Sequence, residues 1–194
     1  MRRPAGVVLF PGAGSAADHP SLVAIEEALA PVPVRRVDFP YRRAGRRAPD
    51  RAPVLLACVR DEVRAFAREL DVPTSRLVIG GRSMGGRMCS MAVADTDDPL
   101  KVAGLLLVSY PLHPPAKPDK LRTEHLPRIP VPTLCVSGSK DTFGTPAELR
   151  RHFRKVQGEV TWNIIEGKGH DLKGCDADVA GFVREWLAAP RRRG

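Results

Sequence analysis

Short apolar runs alternate with longer stretches of helical periodicity along almost the whole chain, and this alternation constrains the fold more than any other feature. The runs at 6–10, 34–39, 77–80, 102–109, 133–137 and 160–165 read as strands. Between and after them, 21–29, 52–70, 86–94, 146–156 and 177–188 read as helices. The second carries Leu55, Leu56, Val59, Val63 and Phe66 along one stripe. Continuous apolar strands separated by helices are the pattern of a sheet covered on both faces, so an α/β fold with about six parallel strands is expected. Proline closes strands where it cannot donate a ladder hydrogen bond, as in Phe39-Pro40-Tyr41 and Tyr110-Pro111.

At 194 residues the chain suits one domain, 1–194, with no internal repeat and a basic tail at 190–194. The longest irregular segment is 110–132, with prolines at 111, 114, 115, 118, 127, 130 and 132. It leaves the carboxyl end of a strand, the edge at which open parallel sheets bind ligands.

Several classes of function are disfavoured. No apolar run approaches the roughly 18 residues of a membrane span. The stretch in MRRPAGVVLFPGAG is too short for a signal-peptide core, so a cytoplasmic protein with no membrane partner is expected. Cys58, Cys89, Cys135 and Cys175 lie far apart, with no metal-ligand spacing, and read as reduced structural thiols; no metal and no cofactor is expected. The net charge of +9, with arginines at 42, 43, 46, 47, 51 and 191–193, invites a nucleic-acid reading. Aromatic residues make up only 5% and do not interleave with the basic ones, so an arginine-rich solvated surface is favoured.

Within GGRSMGGR, residues 80–87, Ser83 occupies a G-x-S-x-G pattern directly after one strand and directly before a helix. That setting is a nucleophile elbow, whose tight turn leaves no room for side chains two residues either side of the serine. A serine hydroxyl needs a base, and the base an orienting acid. Asp141 follows the fifth strand and His170 the sixth, each in a loop at the same sheet edge as Ser83. The other histidines, 19, 113, 125 and 152, lack this setting, although His19 suits a helix cap. Asp171 adjoins the histidine and points elsewhere, which leaves Asp141 as the acid. The backbone amides of Met84 and of Ala13, in the small-residue loop after the first strand, are the expected oxyanion donors. That loop lacks the Lys-Ser/Thr of a nucleotide-binding loop.

Phe10-Pro11-Gly12-Ala13-Gly14, Phe39-Pro40-Tyr41, the 80–87 elbow, Ser109-Tyr110-Pro111-Leu112-His113, the 122–127 run and the Asp141 and His170 loops together resemble the α/β-hydrolases. The likeness is to the small dienelactone-hydrolase-like branch that includes testis-expressed protein 30 and the hydrolase-like subunit of the NSL histone acetyltransferase complex. The resemblance implies a minimal α/β-hydrolase fold and carries nucleophile, acid and base onto Ser83, Asp141 and His170. It implies a sheet beginning at the third strand of larger relatives, with 110–132 in place of a lid domain.

The leading expectation is therefore a serine hydrolase acting on an ester, thioester or related acyl bond of a small molecule. Arg82, Tyr41 and His113 are candidate substrate contacts, and the arginines at 82 and 42–47 suggest an anionic substrate. A lidless site also invites cover from a second copy of the chain in a homodimer. The competing expectation is a non-catalytic module that binds protein or nucleic acid through its basic surface.

Overall fold

The computed structural model describes residues 4–189; the expected basic tail at 190–194 lies outside the described residues. Six strands form one sheet: β1 (Gly6–Phe10), β2 (Val34–Arg36), β3 (Leu77–Arg82), β4 (Gly104–Val108), β5 (Thr133–Gly138) and β6 (Val160–Ile165). Every pairing is parallel and the order is β2-β1-β3-β4-β5-β6. Among the described residues there are six helices: α1 (Pro20–Leu29), α2 (Pro40–Arg43), α3 (Ala52–Glu69), α4 (Met84–Val93), α5 (Pro146–Phe153) and α6 (Asp176–Ala188). This is the α/β-hydrolase fold.

Side-chain alternation along the strands divides the core in two. Val8, Phe10, Ile79, Leu105, Leu107 and Cys135 point to the face covered by α3, α4 and α5. Val7, Leu9, Val78, Leu106, Leu134 and Val136 point to the face covered by α1 and α6. All four cysteines are buried and unpaired, and burial pushes the Cys58 thiol up to about 11. None of the helices among the described residues is long and apolar enough to cross a membrane.

The expected boundaries shift where a local signal outweighs periodicity. β2 stops at Arg36 rather than at 39, because Phe39 caps α2 and Pro40 occupies its first turn, where a missing N–H costs nothing. β3 runs on to Arg82, whose register partner is Val108, and α4 opens at Met84 rather than at 86 because Ser83 is its cap. β4 is shorter than 102–109, and α5 ends at Phe153 rather than at 156. The proline-rich segment contains a single turn of 3-10 helix, Leu126–Arg128.

The order places the site. From β1 the chain crosses outward to β2, then returns to the other side of β1 as β3, so the crevice beyond the β1 and β3 carboxyl ends is the point where winding reverses. Backbones approach unusually closely there. A Cβ on Gly80 would strike the Leu106 carbonyl of β4, and one on Gly81 or Gly85 would strike the carbonyl of Phe10 at the end of β1.

Gly80→Ala is expected to lower the thermal midpoint sharply or abolish soluble folding, since the colliding atoms are strand backbone. Gly181→Ala, in α6 with nothing within 4 Å of the added carbon, is expected to stabilise by about 1 kcal/mol through helix propensity. Urea titration of the pair checks both signs.

Candidate active site

Ser83 sits in the turn from β3 into α4 with φ 49° and ψ −115°, a conformation that costs a non-glycine residue roughly 1–3 kcal/mol. Its neighbours hold it there. Its N–H donates to the Val108 carbonyl at 2.8 Å and its own carbonyl accepts from Arg87 N–H at 3.1 Å. Gly81 and Gly85 let the turn press against Phe10.

Ser83 Oγ lies 2.9 Å from His170 Nε2. On the far side of the ring, Nδ1 lies 3.0 and 2.9 Å from the two carboxylate oxygens of Asp141. With the Nδ1 proton donated to that carboxylate, Nε2 presents its lone pair to the serine hydroxyl. Asp141 is only 1% exposed and also accepts the Phe143 N–H at 2.8 Å. The Phe143 ring stacks on the imidazole, with centroids 4.0 Å apart at 28°. The Asp141 and His170 loops are laced together: Lys140 N–H donates to the Lys168 carbonyl at 2.8 Å, and Gly167 N–H to Ser139 Oγ at 2.8 Å.

Met84 is the first residue of α4, so its N–H is among the amides the helix leaves without an internal acceptor, at the positive end of the helix dipole. The Ala13 loop faces the same crevice. Tyr41 is fully buried and donates its hydroxyl to the Ala13 carbonyl at 2.9 Å, so it braces that peptide from behind and does not line the cleft. His113 is buried as well. Its Nδ1 donates to the Pro114 carbonyl at 3.1 Å and its Nε2 lies 3.8 Å from Glu148, outside the cleft lining. Arg82 does line the cleft; it donates to the His170 carbonyl at 3.1 Å, with Asp171, Asp176 and Asp141 as the carboxylates acting on its charge. Of the arginines at 42–47, Arg43 pairs with Glu62 at 2.5 Å and Arg46 with Asp50 at 2.8 Å, and none lines the cleft.

The cleft holds about 560 Å³ and brings Ser83, His170, Met84 and Ala13 to one surface. The lining residues that sequence reasoning missed include His19, Arg87, Arg122 and Phe143. His19 caps α1 through Ser21 N–H at 3.3 Å, as its position suggested. Arg87 had a readable signal, because residues four apart share a helix face and Ser83 caps that helix. Arg122 and Phe143 reach the site through loop paths that have no period.

A family model for the α/β hydrolase domain matches residues 3–181, and the chain belongs to that family. Solved structures share the fold at low sequence identity. The dienelactone hydrolase of Anabaena variabilis superimposes with a TM-score of 0.73 at 19% identity, over 98% of this chain and 89% of that one. The monoacylglycerol lipase of Paleococcus ferrophilus gives 0.71 at 16% identity, over 93% of each chain. An α/β serine hydrolase homologue from Coxiella burnetii gives 0.69 at 15% identity, over 94% of this chain and 83% of that one.

One wall of the site depends on a buried neutral histidine. His125 Nε2 meets Ser90 Oγ at 2.8 Å and holds the proline-rich segment against α4. Burial, then the nearby Arg87 and Arg128, lower its pKa from 6.5 to about 4. The unfolded chain therefore binds this proton more readily than the folded one, so stability falls as pH drops from about 6.5 towards 4. Urea unfolding at pH 7 and pH 5 is expected to differ by on the order of 2 kcal/mol from this residue, and His125→Gln should flatten that difference.

Proposed function

We propose that the protein is a serine hydrolase that cleaves an ester, thioester or related acyl bond of a small molecule. The reading rests on one observation above the rest, the unbroken hydrogen-bonded path from Asp141 through His170 to Ser83 on a strained elbow at a helix N-terminus.

As Ser83 Oγ bonds to the acyl carbon, His170 Nε2 takes the hydroxyl proton. The carbonyl oxygen becomes an oxyanion, and the amides of Met84 and Ala13 stabilise it. Collapse of the tetrahedral centre breaks the bond to the leaving group, which receives the proton from His170. Water then attacks the acyl-serine, giving its proton to His170. The acid departs and Ser83 regains its hydrogen. Asp141 keeps the ring in the required tautomer and stabilises the imidazolium. Tyr41 acts through the Ala13 carbonyl, holding the residue whose N–H serves the oxyanion from the neighbouring peptide, and Phe143 fixes the plane of the imidazole. The segment 110–132, which brings Pro111 and Arg122 to the cleft in place of a lid domain, fits the dienelactone-hydrolase-like branch of the family.

A fluorophosphonate probe is expected to label the native protein and not Ser83→Ala, and Ser83→Ala should lower turnover of an activated aryl ester by on the order of 10⁴-fold or more. Asp141→Asn should cost about as much by trapping the wrong tautomer. If a folded sample takes up no probe of any size and hydrolyses no ester, the hydrolase reading fails. A non-catalytic binding module, with salt-sensitive binding indifferent to Ser83→Ala, then takes its place.

A further inference from the structure

Arg87 and Arg122 differ from every other arginine around the site. Arg87 lies one helical turn beyond Ser83 on α4, and Arg122 lies on the proline-rich segment opposite. Both line the cleft that holds Ser83, and both also line a groove of about 990 Å³ that opens from it towards Lys117 and Lys120. The two arginines are thus the shared wall between the Ser83 cleft and an open groove in which Lys117, Lys120 and Arg128 outnumber Asp119 and Glu124.

Their charges have no internal counter-ion. Among the described residues neither forms an ion pair with a carboxylate. The Nε of Arg87 is buried with no hydrogen-bond partner, and Arg122 has only a long contact, 3.3 Å, from Nη1 to the Pro111 carbonyl. They act on each other as well: after burial, the Arg87 charge is what lowers the Arg122 pKa, and no carboxylate opposes it. Arg82 is the internal control, since it carries the same charge in the same cleft but has three aspartates about it and a carbonyl to bond. Two half-buried guanidinium groups lining one cleft with no carboxylate paired to either are unfavourable unless something else supplies the negative charge.

We propose that Arg87 and Arg122 form a subsite for a carboxylate or phosphate group on the substrate, making the enzyme selective for anionic acyl compounds. The guanidinium fork matches both oxyanion groups in a bidentate manner, which a surface lysine cannot do. One helical turn is roughly 5 Å, so the anionic group belongs about four or five bonds from the scissile carbonyl. This selectivity rests on the hydrolase reading above, whereas the anion subsite itself can be measured without turnover.

The test compares 4-nitrophenyl butyrate with 4-nitrophenyl hydrogen glutarate and 4-nitrophenyl 4-phosphonobutyrate. Native protein is expected to favour at least one anionic ester in kcat/KM by about tenfold or more, with the preference shrinking as salt rises. A larger preference for glutarate assigns a carboxylate, and one for the phosphonate assigns a phosphate. Combining Arg87→Gln with Arg122→Gln should reduce the anionic-to-neutral ratio by about tenfold to a hundredfold. If that double variant does not fold, Arg87→Lys, which keeps the charge and loses the fork, should give an intermediate ratio. A native ratio at or below unity, or a ratio untouched by these substitutions, overturns the proposal. Calorimetric binding of methyl hydrogen glutarate and methyl 4-phosphonobutyrate to Ser83→Ala decides the matter even if no ester is hydrolysed. Binding of either, weakened more than about tenfold by the arginine changes, sustains the subsite while the hydrolase reading falls; no binding removes it.

Discussion

The backbone of β1 touches the backbone of the elbow, and most of the site follows from that contact. Phe10 ends β1 with its carbonyl lodged against Gly81 and Gly85, a spacing that any side chain would prevent. Because the two strands meet so closely, the loop that leaves β1 emerges beside Ser83, and Ala13 reaches the crevice without a long excursion. The strain in Ser83 is tolerable for the same reason. Both flanking elements are fixed, β3 by pairing with β1 and β4, and α4 by packing Met88, Cys89 and Ala92 into the core. A turn with softer supports would relax and turn its hydroxyl away from the histidine.

Charge is distributed with a similar economy. The His170 loop is held to the elbow by Arg82, whose guanidinium reaches the His170 carbonyl from the residue next to Ser83. The imidazole is gripped on three sides, by a carboxylate, a hydroxyl and an aromatic ring. Such a ring has little rotational freedom left to lose during a reaction, the sense in which the site is preorganised. The unpaired arginines on the opposite wall are the exception to this internal balancing. Their imbalance points outward, to solvent or to a bound molecule.

Fold was legible in the sequence because a fully buried parallel strand such as β1 or β4 leaves a continuous apolar run, while the half-buried edge strand β6, VTWNII, still shows its β-branched and aromatic residues. β1, β5 and β6 could be read to within a residue, while β2 overran because nothing in Val37 or Phe39 announces that Pro40 begins a helix. Of the site, the backbone-determined part was legible: the serine between glycines, and the acid and histidine each one loop beyond a strand. Side-chain partnerships were not. That Tyr41 reaches the Ala13 peptide 28 residues away in sequence depends on how α2 packs under the sheet edge, which no local pattern encodes. The arginines near 42–47 illustrate the converse, since proximity in sequence to an active-edge strand suggested substrate contact, whereas Arg43 meets Glu62 on α3 and Arg46 meets Asp50.

The proline-rich segment is closed at its neck. Arg122 N–H donates to the Leu112 carbonyl at 2.9 Å, and His113 N–H to the Phe143 carbonyl at 3.0 Å. Residues 115–121 extend beyond these bonds as an exposed tip. Length and composition can therefore change in the tip while the neck keeps Arg122 and Phe143 in place. Such a module lets the surface of the loop diverge among descendants of one scaffold while the cleft wall beneath it stays the same.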